Sequence, residues 1–328
     1  MLRLFEKNTL LQVVIILAVM AILWVPAFGS PIPMTPPDGF APLYSLVYSI
    51  GLSPWVSLII AIILILLGGV FLNLLLVNVG LVSQNSLLPT FLYILFMSAG
   101  ADTFSPTIIV GTLAIVMVNL LMLRSTHLTI PSNKIFGAAA IIGICTLFYL
   151  PSIALIFTYI LVAISYRLYS WRDWIVFLLG LLAPYIPVWA VLFFTDGLTN
   201  SFDSMANTFS AVSIHIGETS TLQSIANITL LFLFFISLFV LWGRLSECTI
   251  VWKKNASTVM LITVATLAML PYSSLLPFNL QFIAIPDALC TSLWLASANR
   301  RRSNSHRKWS THLYDLILVV ILIAALLC

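Results

Sequence analysis

LFYLPSIAL, Leu147 to Leu155, decides how the rest of the chain is read. It lies inside an apolar run from Ile135 to Tyr166 that carries no charge. As one helix, at ~1.5 Å per residue, the run would extend roughly 48 Å. A bilayer core is about 30 Å thick and is crossed by ~20 residues. Either the chain crosses once with a strong tilt, or it crosses twice and turns at Leu150-Pro151-Ser152.

Composition sets the class. The chain is 61% hydrophobic and 7% charged, with a mean hydropathy of +1.13. A soluble domain carries about 25% charged residues. The sequence therefore predicts an all-α polytopic transmembrane helix bundle, and the few charges become its most informative residues. Apolar runs fall at about 10–28, 54–79, 86–99, 106–123, 135–149, 151–166, 174–194, 226–243, 257–274, 282–298 and 311–328. They are continuously apolar, without the alternation of a membrane barrel strand.

The charges orient these runs. Let the N-terminus lie inside and each run cross once. All 14 Lys and Arg then face the cytoplasm: Arg3, Lys7, Arg124, Lys134, Arg167, Arg172, Arg244, Lys253, Lys254, Arg300, Arg301, Arg302, Arg307 and Lys308. Asp38, Asp102, Asp196, Asp203 and Glu218 fall in outside loops. Lys/Arg bias in short loops sets orientation. A single crossing over 135–166 would put Arg167 and Arg172 outside, so LFYLPS is predicted to be an outside turn. Pro151 suits the start of the second helix, where its missing N–H costs nothing. About eleven helices result, in one integral membrane domain over 1–328, with the N-terminus cytoplasmic and Cys328 outside. The runs 86–124, 134–167 and 255–300 share one plan, a helical hairpin that turns outside at Ser and Pro and returns to a basic residue. The first apolar run is expected to be retained as a span, being long for a signal-peptide h-region.

Two outside loops have length, 29–53 and 195–225. The first ends in FAPLYSLVYSI, with Leu43, Val47 and Ile50 on one face and Tyr44 and Tyr48 beside them, an interfacial helix. In the second, Phe202, Met205, Phe209, Val212 and Ile216 recur at helical steps, and His215 and Glu218 follow. That amphipathic stripe suits a lid or interface lying on the membrane. Both loops also fit a packed connection without chemistry.

Chemistry has few candidates. The four cysteines are dispersed, with no CxxC. His215 and Glu218 alone do not make a metal site. There is no phosphate loop, nucleotide fingerprint or GxSxG, and no nucleic-acid partner is implied. Asp38, in PPDGF, and Asp102, in SAGADTFSP, are candidate catalytic carboxylates at the outer mouth of the bundle. Each is equally a turn residue. Asp287, in AIPDALC, sits inside an apolar run, and an intramembrane acid is a functional hypothesis by default. It also fits a first helical turn after Pro286, where the helix dipole favours it.

The order of features resembles a family of uncharacterised polytopic membrane proteins of Bacteroidota. The resemblance rests on FEKNTLLQ, LWVPAF, LNLLLVNVGLVSQNSLLPTFLYILF, LFYLPS, WRDWIVFLLGLLAPYI, IAIPDALCTSLWLA and KWSTHLYDLILVVILIAALL. It implies a bacterial inner-membrane location and supplies no catalytic residues. More distantly, the layout is similar to GT-C fold glycosyltransferases and polysaccharide polymerases. Those have many membrane helices and an acidic residue in the first outside loop beside an interfacial helix. That resemblance implies a substrate sugar carried on polyprenyl phosphate, with Asp38 as base and Asp102 as a second carboxylate. A lipid-linked phosphate needs a cation, and no Lys or Arg is placed outside. A divalent metal or a membrane protein partner would have to supply it. Two classes follow: a divergent lipid-linked-sugar transferase of envelope polysaccharide assembly, or a non-catalytic membrane subunit scaffolding a partner. A transporter using Asp287 is the third.

Overall fold

The structure is a computed structural model. It describes residues 9–34, 36, 40–82, 86–98, 104–122, 131–165, 170–194, 198–210, 232, 234–243, 250–267 and 284–294. Among these residues every regular element is helical. In chain order they are α1 (Thr9–Gly29), α2 (Pro42–Ser49), α3 (Pro54–Asn78), α4 (Leu88–Ser98), α5 (Pro106–Met122) and α6 (Ser132–Phe148). A 3-10 turn (Leu150–Ala154) leads to α7 (Leu155–Ser165), α8 (Trp171–Leu182), α9 (Tyr185–Phe194) and α10 (Leu198–Ser210). Then come α11 (Phe234–Gly243), α12 (Ile250–Leu267) and α13 (284–294). Three stretches among the described residues, Leu10–Gly29, Pro54–Asn78 and Trp171–Phe194, are long and apolar enough to cross a membrane. The predicted run 311–328 lies outside the described residues.

The bundle is built around α4. Its sequence, LPTFLYILFMS, has no polar face, and every residue from Leu88 to Met97 is buried. A helix apolar all round belongs in an interior. It lies in a notch on α3 made by two glycines. A Cβ on Gly68 would stand 2.6 Å from the Tyr93 hydroxyl, and one on Gly69 would stand 3.1 Å from the Thr90 methyl. Thr90 Oγ1 donates to Gly69 O at 3.0 Å, which fixes the register of α4 on α3.

On the other flank, α1 touches the bundle through Gln12, Ile16, Met20 and Trp24, one residue per turn. Its remaining faces present Leu10, Val14, Leu17, Ile22 and Val25 outward. Both ends of α1 are tied to the ends of α4. Leu87 N donates to Gln12 Oε1 at 2.8 Å, and Trp24 Nε1 donates to Ser98 Oγ at 3.0 Å. The two helices are therefore parallel. A soluble helix would place Gln12 outside and Val14 inside. The reversal, with polar groups sealed in and large aliphatic ones turned out, is that of a protein whose solvent is lipid.

α3 and α5 also run parallel, joined by a polar seam. Thr112 Oγ1 donates to Leu64 O at 3.2 Å, and Asn119 Nδ2 donates to Phe71 O at 2.9 Å. Each also donates to a carbonyl of its own helix, Ile108 O and Ile115 O. Lipid offers no replacement for these bonds, although each contributes only about 0.6 kcal/mol on average in membrane bundles. α5 then packs on α6, and α6 on α8.

The α6–α8 crossing is the closest in the structure. Gly143 and Gly180 put backbone against backbone: a Cβ on Gly143 would meet Leu181 O at 2.5 Å, and one on Gly180 would meet Phe136 O at 2.6 Å. Ala139 and Gly143 form the small-xxx-small spacing that lets membrane helices approach. Just beyond, the helix from Trp171 is interrupted at Ala183–Pro184, giving α8 and α9 where the sequence suggested one run over 174–194. Pro184 has no N–H and crowds the preceding turn, and Pro187 follows it.

The stretch that opened the problem does break. Tyr149 is extended (φ −156°, ψ 106°), and Pro151 opens the first turn of the 3-10 segment. The side-by-side hairpin read over 135–166 does not form, however. α6 packs on α5 and α8, while α7 packs on α12. Likewise α4 packs chiefly on α3, and α5 packs on α3 and α6 rather than on α4. The Gly68–Gly69 notch seats α4 on α3, the helix before it, and the Gly143 and Gly180 crossing pairs α6 with α8 rather than with α7. For the third hairpin, the turn at 268–283 lies outside the described residues.

Gly180→Ala should lower the midpoint of thermal unfolding in detergent, reflecting an overpacking cost of about 1–3 kcal/mol. At Gly137 the nearest atom to a new Cβ is Leu120 Cδ1 at 3.7 Å. Gly137→Ala should therefore leave the midpoint unchanged or raise it. Equal loss in both variants would remove the close crossing from the account.

Candidate functional site

Connections collect at the two ends of the bundle. At one end Gln12 meets Leu87, and Asn255 Nδ2 donates to Val79 O at 3.0 Å. At the other, Trp24 meets Ser98, and Phe28 lies 6.0 Å from Trp55, ring centre to ring centre. This second end holds the candidate site.

α2 is its centre. Tyr44, on α2, is buried, and its ring stacks on Phe104 at 6.4 Å. One helical turn earlier, Phe40 is buried in a small cluster with Leu147, Leu150 and Tyr185. Its backbone N–H donates to Thr208 Oγ1 of α10 at 3.1 Å, and Thr208 donates to Ser204 O at 2.7 Å. α2 departs from its predicted facing. Tyr44 is the anchored residue, Leu43 and Val47 are partly buried, and Ile50 lies past the helix end, 69% exposed.

Asp38 and Asp102 lie outside the described residues. Each precedes an anchored phenylalanine by two positions, in Asp38-Gly39-Phe40 and Asp102-Thr103-Phe104. Both phenylalanines reach one short helix: Phe40 leads into α2, and Phe104 packs on it through Tyr44. Phe40 and Phe104 are thus brought to the same helix.

The predicted amphipathic segment forms α10 over Leu198–Ser210. Met205 packs against the Phe40 cluster, while Phe202 is 54% exposed with its ring 6.3 Å from Trp189. Phe209 falls within α10, with its side chain outside the described set, and His215 and Glu218 are outside it altogether. Among the described residues no three His, Cys, Asp or Glu side chains gather as a metal site.

The residues missed by the sequence reading are those beneath α10. Tyr185 Oη donates to Thr146 Oγ1 at 2.7 Å, and Thr146 donates to Gly143 O at 2.7 Å. Trp189 lies 5.4 Å from the Tyr185 ring. These aromatics tie α9 to α6 and form the floor on which α2 and α10 rest. Tyr185 and Trp189 sit within the apolar run 174–194 rather than at its end, where Tyr and Trp would mark a membrane interface, so the sequence carried no signal for them.

Asp287 is elsewhere. It lies on α13, all of whose described residues, 284–294, are buried. The side chain is 0% exposed, and neither carboxylate oxygen has a hydrogen-bond partner among the described residues.

Comparison with protein-family models, curated proteins and solved structures finds no match. Fold and surface define an all-helical membrane protein whose best-organised polar end is the junction of α2, α9 and α10.

Thr208→Val removes the acceptor for the Phe40 amide. Hydrogen exchange at that amide should accelerate roughly tenfold, corresponding to about 1.4 kcal/mol. An unchanged rate would show that α10 does not hold Phe40.

Proposed function

We propose that this is a multi-pass inner-membrane protein whose α2–α10 end faces outward and acts on a lipid-linked sugar of envelope polysaccharide assembly. It is a divergent transferase or polymerase-like protein in this reading. The observation that carries it is the convergence on α2 of the segments beside Asp38 and Asp102. Asp38 serves as general base toward an acceptor hydroxyl, a role that contributes about 10²–10⁴-fold. Asp102 is the second base or a metal-holding carboxylate. α10, with Phe202 exposed on it, forms the lid at the lipid surface. The direction of the helices supports this orientation. Gln12, Leu87, Val79 and Asn255 share one end, and Phe40 and Phe104, each two residues after one of the acids, lie at the opposite end.

A second reading has one specific support. The charge rule leaves no Lys or Arg at the outer end to neutralise a phosphate. A scaffold that seats a partner protein on α2 and α10 needs none. In the transferase reading a divalent cation or the partner supplies that charge.

In a deletion strain with an envelope-glycan defect, the wild-type gene should restore the glycan. Asp38→Asn, at equal expression, should leave it about 10²-fold lower or worse. Native mass spectrometry of gently extracted protein should show a bound polyprenyl-phosphate or glycolipid. Full complementation by Asp38→Asn removes that residue from the mechanism. A stoichiometric protein partner without such a lipid selects the scaffold.

A further inference from the structure

Asp287 is used by neither reading, and its surroundings are unusual. The stretch AIPDALCTSLWLA places one acid in an otherwise uncharged run. α13 is enclosed on all sides over 284–294, and both Asp287 oxygens are without a hydrogen-bond partner among the described residues. The two hydroxyls that follow on α13 are turned to carbonyls. Thr291 Oγ1 donates to Asp287 O, and Ser292 Oγ donates to Leu289 O.

Among the described side chains, the helices against α13 offer no counter-charge. Ile285 and Leu289 share a cavity of about 20 Å³ with residues of α3, α5, α7 and α12, among them Leu72, Ile115, Thr158 and Ile262. Among the described residues the titratable groups on those four helices are Tyr159 on α7 and Lys253 and Lys254 on α12. Tyr159 is turned to α8, stacked on Phe177 at 3.9 Å. Lys253 is exposed, and at ~1.5 Å per residue it lies roughly 13 Å along α12 from Ile262. From α4, the Tyr93 hydroxyl approaches Gly111 on the side where Ile285 lies, and it bonds to neither oxygen of Asp287.

A bare carboxylate in such a place costs several kcal/mol. A metal cation would need a shell of oxygens, and the faces described around α13 are apolar but for the Thr158 and Tyr93 hydroxyls. A proton needs no shell. We propose that Asp287 is a proton-binding site: the buried seat of α13 accommodates the neutral acid, and loss of the proton obliges α13 to open to water. The site is independent of the α2–α10 end and gives the protein a proton-linked conformational step.

Cys290, three residues on and 0% exposed, is a built-in reporter. The full-length protein carries Cys248→Ser and Cys328→Ser, with buried Cys145 as internal reference. Alkylation of Cys290 by N-ethylmaleimide is compared with and without Asp287→Asn at each pH, which cancels the intrinsic pH dependence of the thiol. At about pH 6 the two proteins should react equally slowly. At about pH 9 or above, the chain with Asp287 should react roughly tenfold faster than the Asn variant. Equal rates at every pH would overturn the proposal. Should the Asn variant fail to fold, infrared spectra of wild type and Asp287→Glu decide. The neutral carboxylic C=O band should be present at about pH 6 and shift in the Glu protein; a spectrum with no such band overturns the site.

Discussion

The whole bundle answers to one constraint: α4 has no face that can be left uncovered. Ten consecutive buried residues, Leu88–Met97, require neighbours on every side. The hydrophobic effect does not supply them in lipid, where an exposed leucine is already content. Close packing and directed hydrogen bonds must do so. The Gly68–Gly69 notch lets the Tyr93 ring and Thr90 approach the α3 backbone, and Thr90 sets the register. Gln12 and Trp24 then hold α1 across the full length of α4. From α3 the same logic runs outward, through the Thr112 and Asn119 seam to α5, then to α6, then through Gly143 and Gly180 to α8.

This interior separates two kinds of buried polar group. Gln12, Thr90, Thr112, Asn119 and Asn255 all bond to backbone groups of another element and serve as struts. Asp287 bonds to nothing with its carboxylate, so it contributes no strut. A buried acid whose carboxylate makes no bond is better explained by chemistry than by architecture. The α2–α10 end has a different character. There the polar bonds are few and the aromatics many, as suits a surface between lipid and water.

The sequence made much of this legible. Length, hydropathy and the absence of alternation were sufficient for an all-helical membrane chain. The break at LFYLPS followed from the positions of Arg167 and Arg172, and Pro151 stands at the head of the following turn as its chemistry requires. The two amphipathic segments became α2 and α10. Partner choice was not legible. Hydropathy reports that a helix faces lipid or protein, but not which protein. The deciding features are glycines whose missing side chains show only once a neighbour's backbone lies against them. Hence the first two predicted hairpins do not form as pairs, although their helices do. Similarly, Leu43, Val47 and Ile50 gave the larger apolar face, yet Tyr44 anchors α2 because Phe104 waits to stack on it. Of the candidate site, the acids were visible as residue types in loops. The floor of Thr146, Tyr185 and Trp189 was hidden inside apolar runs.

The central claim is that the two ends of the bundle face opposite sides of the membrane, with α10 outside and the start of α6 inside. Single cysteines test it directly in a cysteine-free background. Ala206→Cys on α10 and Asn133→Cys at the start of α6 are both exposed positions. A membrane-impermeant maleimide added to spheroplasts should label Ala206→Cys at once, and Asn133→Cys only after the membrane is permeabilised. Labelling of both from the same side, or in the reverse order, would contradict the topology and with it the assignment of the α2–α10 end as the working face.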